Sequence, residues 1–187
     1  MGLSSSVFTR EELEEYADLT YFTEGEIIDL HKKFMSLVDD DSKDKKSSRI
    51  SKERMMELPE IKFNPFADRL CDVFSTSEEE DSSMSFDDFL DMMNALSENA
   101  SFKLKAQYAF RVFDINENGF VDPEDIEEIV MRLTKDEGLG EKELMDELIE
   151  SMMVEADLDK DGQLSLAELE HVLSKSADFM NSFKIRV

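Results

Sequence analysis

Asp157-Leu158-Asp159-Lys160-Asp161-Gly162-Gln163-Leu164-Ser165-Leu166-Ala167-Glu168 carries carboxylates at its first, third and fifth positions, glycine at its sixth and glutamate at its twelfth. Side chains two residues apart in a tightly turned loop converge, and three carboxylates brought together call for a cation. Calcium is a hard cation that takes about six to eight oxygen ligands. The stretch fits the EF-hand calcium loop at every required position. Asp157, Asp159 and Asp161 offer carboxylates, and Gln163 offers its backbone carbonyl. Ser165 ligates directly or through a water, and Glu168 closes the site with both oxygens. Gly162 supplies the sharp turn.

A second copy starts 43 residues earlier: Asp114-Ile115-Asn116-Glu117-Asn118-Gly119-Phe120-Val121-Asp122-Pro123-Glu124-Asp125. Asp114, Asn116, Asn118, Asp122 and Asp125 fall at side-chain ligand positions, and Phe120 at the position that offers a carbonyl. Two copies at this interval form a repeat. Apolar residues at helical spacing precede each loop (Tyr108, Phe110, Phe113; Leu148, Met152, Met153, Ala156) and follow it (Ile126, Ile129, Val130, Leu133; Leu169, Val172, Leu173), so each loop is predicted between two helices. Val121 and Leu164, apolar at the eighth position, predict a short strand pair. Asp125 stands where Glu168 stands in the later copy and is one methylene shorter. A one-oxygen closure leaves about six ligands, near the octahedral set that magnesium demands. The expected ions are Ca²⁺ in the fourth hand and Mg²⁺ or Ca²⁺ in the third.

The formal net charge of −25 disfavours a nucleic-acid partner and suits a cation or a basic target. Cys71 is the only cysteine. No intramolecular disulfide can form, and a cytoplasmic location is expected. Met1-Gly2-Leu3-Ser4-Ser5-Ser6 fits the N-myristoylation pattern at Gly2, which would add a peripheral place at the plasma membrane. One such chain binds a membrane only marginally. The sequence shows neither a membrane-spanning apolar run nor a signal-peptide pattern. Twelve methionines serve as core filling or as a surface that accepts varied helices. No clustered Ser/His/Asp set, Cys/His pair, phosphate-cradling glycine loop or zinc pattern is present, so an enzyme is not expected.

Upstream, capping boxes at Thr9–Glu12 and Thr23–Glu26 open two helices, the first running through Tyr16. His31 and His171 read as surface or packing residues. Residues 39–54 stand where a first calcium loop belongs, but Lys43, Lys45, Lys46 and Arg49 follow the opening aspartates and no glycine makes the turn. The basic cluster reads as a solvated loop or as a second membrane signal beside a lipid. Asn64 and Pro65 are expected to cap and begin a helix. Residues 75–88 form a fourteen-residue loop with Ser75 first and no glycine, so this second hand keeps its packing and loses its ion. Residues 97–101 are a polar joint too short to separate two lobes. Phe179, Met180 and Phe183 share one helical face that Ile185 extends. Such a tail must dock, on this chain or on a partner.

With those stretches in place, the chain resembles the calcium- and integrin-binding protein family. The resemblance rests on Leu58-Pro59-Glu60-Ile61-Lys62-Phe63-Asn64-Pro65-Phe66, Val73-Phe74-Ser75, Ser85-Phe86-Asp87-Asp88-Phe89-Leu90, Tyr108-Ala109-Phe110-Arg111-Val112-Phe113-Asp114 and Asp178-Phe179-Met180-Asn181-Ser182-Phe183-Lys184-Ile185. Two silent N-terminal hands, aspartate closing the third and the terminal tail are shared features. More distantly the chain is similar to the calcineurin regulatory subunit and the neuronal calcium sensors. The resemblance implies an adaptor whose apolar groove takes cytoplasmic segments of membrane proteins, among them integrin α tails and mechanosensory channel subunits, with a tail that can occupy the groove. It also strengthens the reading of Gly2 as lipidated.

The expected fold is all-α, with four EF-hands in two packed lobes. Residues 1–22 form an extension with a short helix, 23–97 the N-terminal lobe, 98–175 the ion-binding lobe and 176–187 the tail. The expected groove is lined by Ile129, Leu133, Leu148, Met152, Val172 and Leu173 and takes amphipathic helices. A passive calcium buffer and a regulatory subunit of a calcineurin-like phosphatase are the alternatives.

Overall fold

A computed structural model of the chain describes residues 7–38, 48–134, 142–176 and 178–182. Gly2, the lysines of the first loop, the segment after Thr134 and the tail residues Phe183 and Ile185 lie outside them. The helices are α1 Arg10–Leu19, α2 Glu24–Leu37, α3 Lys52–Met56, α4 Ala67–Phe74, α5 Phe86–Ala95, α6 Phe102–Phe113, α7 Pro123–Thr134, α8 Lys142–Ala156, α9 Leu166–Lys175 and α10 Phe179–Ser182. None of those described is long and apolar enough to cross a membrane.

Reciprocal capping boxes start α1 at Thr9 and Glu12, α2 at Thr23 and Glu26, α5 at Ser85 and Asp88, and α9 at Ser165 and Glu168. Each box satisfies two otherwise unpaired N–H groups. Helix α1 runs one turn beyond Tyr16, to Leu19. Helix α4 begins at Ala67, two residues later than expected, with Phe66 at its N-cap and no side-chain cap. Asn64 instead accepts the Phe66 N–H at 2.9 Å, a local turn that leads into the helix without capping it.

The α-helical architecture with two packed lobes is as expected. Among the described residues the paired loops reduce to one antiparallel bridge in each lobe, Ile50 with Met84 and Val121 with Leu164. Each bridge carries two hydrogen bonds of 2.8–3.0 Å. The N-terminal lobe buries Ile27, Phe34, Ile50, Met55, Phe89 and Met93 almost completely. The C-terminal core is built on Val121, Ile126, Met145, Ile149, Leu164 and Leu169, and none of its members is sealed completely. His31 packs among Phe8, Phe34 and Phe86, as a packing residue should, and burial lowers its pKa.

The lobes meet along α4 and α6. Val112 of α6 belongs to the N-terminal core. Tyr108 stacks on Phe74 at 4.2 Å, and Phe113 meets Phe66 edge-on. Three arginines tie the seam. Arg69 donates to the carbonyls of Arg111 and Asp114 at 3.2 and 2.9 Å and pairs with Glu117 at 3.1 Å. Arg111 donates to the Val73 carbonyl, and Arg132 to Asp68. The polar joint is packed too. Lys105, fully buried, donates to the Ser97 and Ala95 carbonyls at 2.8 and 3.3 Å and so caps the end of α5. Replacing Arg69 by methionine keeps the stem and strands two carbonyls. Urea unfolding in calcium is expected to show a loss of about 2 kcal/mol, the scale of hydrogen bonds to a charged group; a loss below ~0.5 kcal/mol would show that the seam does not depend on this residue.

Candidate metal centre

The fourth loop begins where α8 ends, Asp157 N–H still bonded to the Met153 carbonyl. Asp157 then turns its carboxylate back over the loop and accepts Lys160 N–H at 2.7 Å and Gly162 N–H at 2.9 Å. Asp159 accepts Asp161 N–H, and Asp161 accepts Gln163 N–H. This ladder of short side chain-to-backbone bonds coils the loop. It leaves carboxylate oxygens of Asp157, Asp159 and Asp161 within 4.8 Å of one another. Gly162 holds φ +88°, a conformation that side chains rarely adopt.

Glu168 closes the loop from the first turn of α9. One oxygen accepts Leu158 N–H at 2.9 Å; the other accepts Ser165 N–H at 2.9 Å and the Ser165 hydroxyl at 2.7 Å. Donors from the Ser165 backbone, the Ser165 hydroxyl and Leu158 pull its pKa down to about 2. Asp159 moves the other way. Loss of surrounding water, then the charges of Asp161, Glu168 and Asp157, raise it. That crowding of like charge is what a bound cation relieves.

The third loop repeats the design with fewer charges. Asp114 accepts Asn118 N–H at 3.0 Å and Gly119 N–H at 2.9 Å. Asn118 accepts Phe120 N–H, and Gly119 holds φ +91°. Asp125 accepts Ile115 N–H at 2.9 Å and Asp122 N–H at 3.1 Å, while Asp122 accepts Asp125 N–H at 3.2 Å. Pro123 takes the first turn of α7, where its missing N–H costs nothing. Desolvation would raise the Asp122 pKa, but the amides of Asn116 and Asn118 and the N–H groups of Asp125 and Glu124 outweigh it and lower the value. The donor set of both loops is oxygen throughout, and its charged members sit where backbone donors already hold them. That fits a hard divalent cation. The Val121–Leu164 bridge ties the two loops together.

The second loop has the same plan and a different occupant. Asp88, buried at the first turn of α5, accepts the N–H groups of Thr76 and Ser85 at 3.3 and 2.8 Å. These match the donors that Leu158 and Ser165 give Glu168. Glu80 and Ser82, at φ +53° and +54°, make the turn in place of glycine. Arg49 donates to Asp88 at 2.9 Å and to the Ser83 carbonyl and hydroxyl at 2.7 and 2.9 Å. The sequence reading placed Arg49 in a solvated basic cluster or membrane signal; for this residue the structure corrects it, because the guanidinium is half-buried against Asp88 and Ser83. Arg69 and Lys105 were missed. For Arg69 a signal existed: it is a charge on the buried face of α4, between Ala67 and Leu70.

The family model for an EF-hand domain pair matches residues 103–174. Over 194 aligned positions, covering both chains in full, the chain is 38% identical to calcium and integrin-binding family member 2 of Homo sapiens. It is 36% identical to the Drosophila melanogaster member 2 and 37% to the Homo sapiens member 3, again with both chains fully covered. The chain belongs to the calcium and integrin-binding family. The resemblance drawn from short stretches therefore holds over the whole length.

Of the six residues expected to line a groove, four pack on the C-terminal core and two face solvent. Ile129 packs against both cores, and Leu148, Val172 and Leu173 are half-buried against the C-terminal one. Leu133 and Met152 face solvent, at 59% and 41% exposure. A cleft of about 400 Å³ lies instead between α7 and α8, where Ile149 and Met153 give apolar lining and Glu124, Glu127, Asp146 and Glu150 carry negative charge. Of the tail, Phe179 is buried with its ring edge-on to Phe102 at 5.7 Å, and Met180 is half-buried. A depressed carboxyl pKa contributes stability above the group's ordinary value, 4.5 for Glu168, and loses it as pH falls toward about 2. In chelator, thermal unfolding of the wild-type chain and Glu168→Gln should differ most above that ordinary value and converge on acidification through the same interval. A gap that widens instead would contradict the backbone-held carboxylate.

Proposed function

We propose that the chain is an ion-responsive adaptor, not an enzyme, that binds Ca²⁺ in the fourth loop and Mg²⁺ or Ca²⁺ in the third. In this reading it presents the C-terminal lobe to amphipathic helical segments in the cytoplasmic tails of membrane proteins. The observation that carries the reading is the pair of bridged loops with backbone-held closing carboxylates. Asp114, Asn116, Asn118, Phe120, Asp122 and Asp125 would hold one ion, and Asp157, Asp159, Asp161, Gln163, Ser165 and Glu168 the other. Calcium and integrin binding are part of the relatives' own name, which favours an integrin α tail over an unrelated helix. The acidic cleft between α7 and α8 suits a basic amphipathic segment, because charge steers encounter while apolar lining holds the partner. A cytoplasmic place, at the plasma membrane where Gly2 is lipidated, completes the reading.

Calorimetry is the direct test. Two divalent ions per chain are expected, with binding of a basic amphipathic tail peptide tighter in calcium than in chelator. Ion binding without affinity for any helix would support the passive buffer, and preference for a phosphatase helix would support the regulatory-subunit reading.

Two variants probe the parts. Asp125→Glu lengthens the third loop's closing residue so that both oxygens reach an ion. Titration against a magnesium background of about 1 mM should then show at least about a tenfold gain in calcium affinity at that site, since calcium accepts the added ligand and magnesium does not. An unaltered affinity would mean that the methylene does not set ion choice. Deleting residues 176–187 removes Phe179 from Phe102. Raised binding of an apolar dye and of the tail peptide is expected, and no change in either would show that the tail does not cover the docking surface.

A further inference from the structure

The second loop carries the same frame as the two candidate ion loops. Counting back from its closing residue Asp88, Ser85 stands where Ser165 stands, Met84 where Leu164 makes the bridge, and Ser83 where Gln163 offers its carbonyl. In an ion-binding loop that carbonyl and the closing carboxylate both face the cation. Here one nitrogen, Nη2 of Arg49, donates to both, at 2.7 Å to the Ser83 carbonyl and 2.9 Å to Asp88. Nε of the same guanidinium donates to the Ser83 hydroxyl at 2.9 Å. Ser75, at the loop's first position, sends its hydroxyl across to the same Ser83 carbonyl at 2.6 Å. First and carbonyl positions are therefore joined directly, and the positive group joins the carbonyl to the closing residue.

We infer that the second loop is a cation site whose cation is the Arg49 guanidinium, supplied from the neighbouring first hand. Arg49 immediately precedes Ile50, the residue that bridges to Met84, so the pairing of the two loops itself delivers the charge. A guanidinium stays protonated at any ordinary pH and binds carboxylates in a fixed fork. The site is thus filled as soon as the lobe folds, at any calcium level. Asp88 is nearly buried, and a buried carboxylate without a partner is costly. Arg49 meets that need in a loop that begins with serine and has no turn glycine. Consequently the N-terminal lobe is held in its loop-closed form permanently, and ion-driven change is confined to the other lobe. This inference does not depend on which helix the chain binds.

Residue-resolved amide hydrogen exchange on the full chain tests it, because equivalent N–H groups report on each loop. Between saturating calcium and chelator, Thr76 and Ser85 should keep their protection within about twofold, whereas Leu158 and Ser165 should exchange at least about tenfold faster in chelator. Parallel loss at Thr76 and Ser85 would overturn the inference, as would calcium-induced resonance shifts confined to residues 75–88 of the wild-type chain. In saturating calcium, Arg49→Gln should speed exchange at Thr76 and Ser85 by about tenfold or more and leave Leu158 and Ser165 unchanged. Unchanged protection at Thr76 in that variant would also overturn it. Where the variant does not fold, the wild-type comparison decides alone.

Discussion

A carboxylate in the first turn of an exiting helix organises this molecule. Asp88, Asp125 and Glu168 each occupy that place, and each accepts N–H groups from both ends of its loop. The same side chain caps a helix, a service worth about 1 kcal/mol, and fixes the loop's closing point. It favours the helix N-terminus electrostatically as well. Loop closure and helix initiation are therefore one event. A cation held by such a loop would act on a frame that backbone hydrogen bonds have already drawn.

The two lobes use that frame differently because their interiors differ. Phe34, Phe89, Met92 and Met93 are almost fully removed from water, and each such side chain contributes about 1.5–3 kcal/mol. The C-terminal core has fewer buried members among the described residues. A lobe with a large core needs no ion to stay closed. A lobe with a small one gains much from an ion that relieves repulsion among Asp157, Asp159 and Asp161. Ion sensitivity belongs where packing leaves the balance close.

The candidate ion loops were readable because their chemistry is local: twelve consecutive residues contain every ligand position, the turn glycine and the helix cap. Family membership was readable for a similar reason, since short stretches such as Leu58–Phe66 hold their order. What escaped was non-local. Arg49 reaches Asp88 across 39 residues, Arg69 reaches Glu117 across 48, and nothing in either neighbourhood announces the partner. Lys105 looks like a surface lysine until the end of α5 is placed over it. Asn64 shows the opposite failure. It was read as the cap of the helix, yet its side chain accepts from Phe66 in the turn before it, because Asn–Pro serves such a turn as well as a cap. For the groove, helical spacing says which residues share a face and not whether another helix already covers it.

The seam between the lobes also gives the two candidate ion loops different freedom. Arg69, buried on α4, holds the carbonyl of Asp114 and pairs with Glu117, so the third loop is gripped at its first and fourth positions from the other lobe. Glu117 sits at φ +58°, a conformation that costs a non-glycine residue about 1 kcal/mol, and its ion pair helps to offset that. The fourth loop has no such brace among the described residues. Its corresponding residue Lys160, at φ +64°, is exposed, as are Leu158, Asp159 and Asp161. A braced loop moves little when its ion changes, and an unbraced one can move more. The third loop is therefore suited to a resident ion that keeps the lobe assembled against its neighbour. The fourth, unbraced and with four carboxylates against three, is suited to the ion whose arrival is to be sensed.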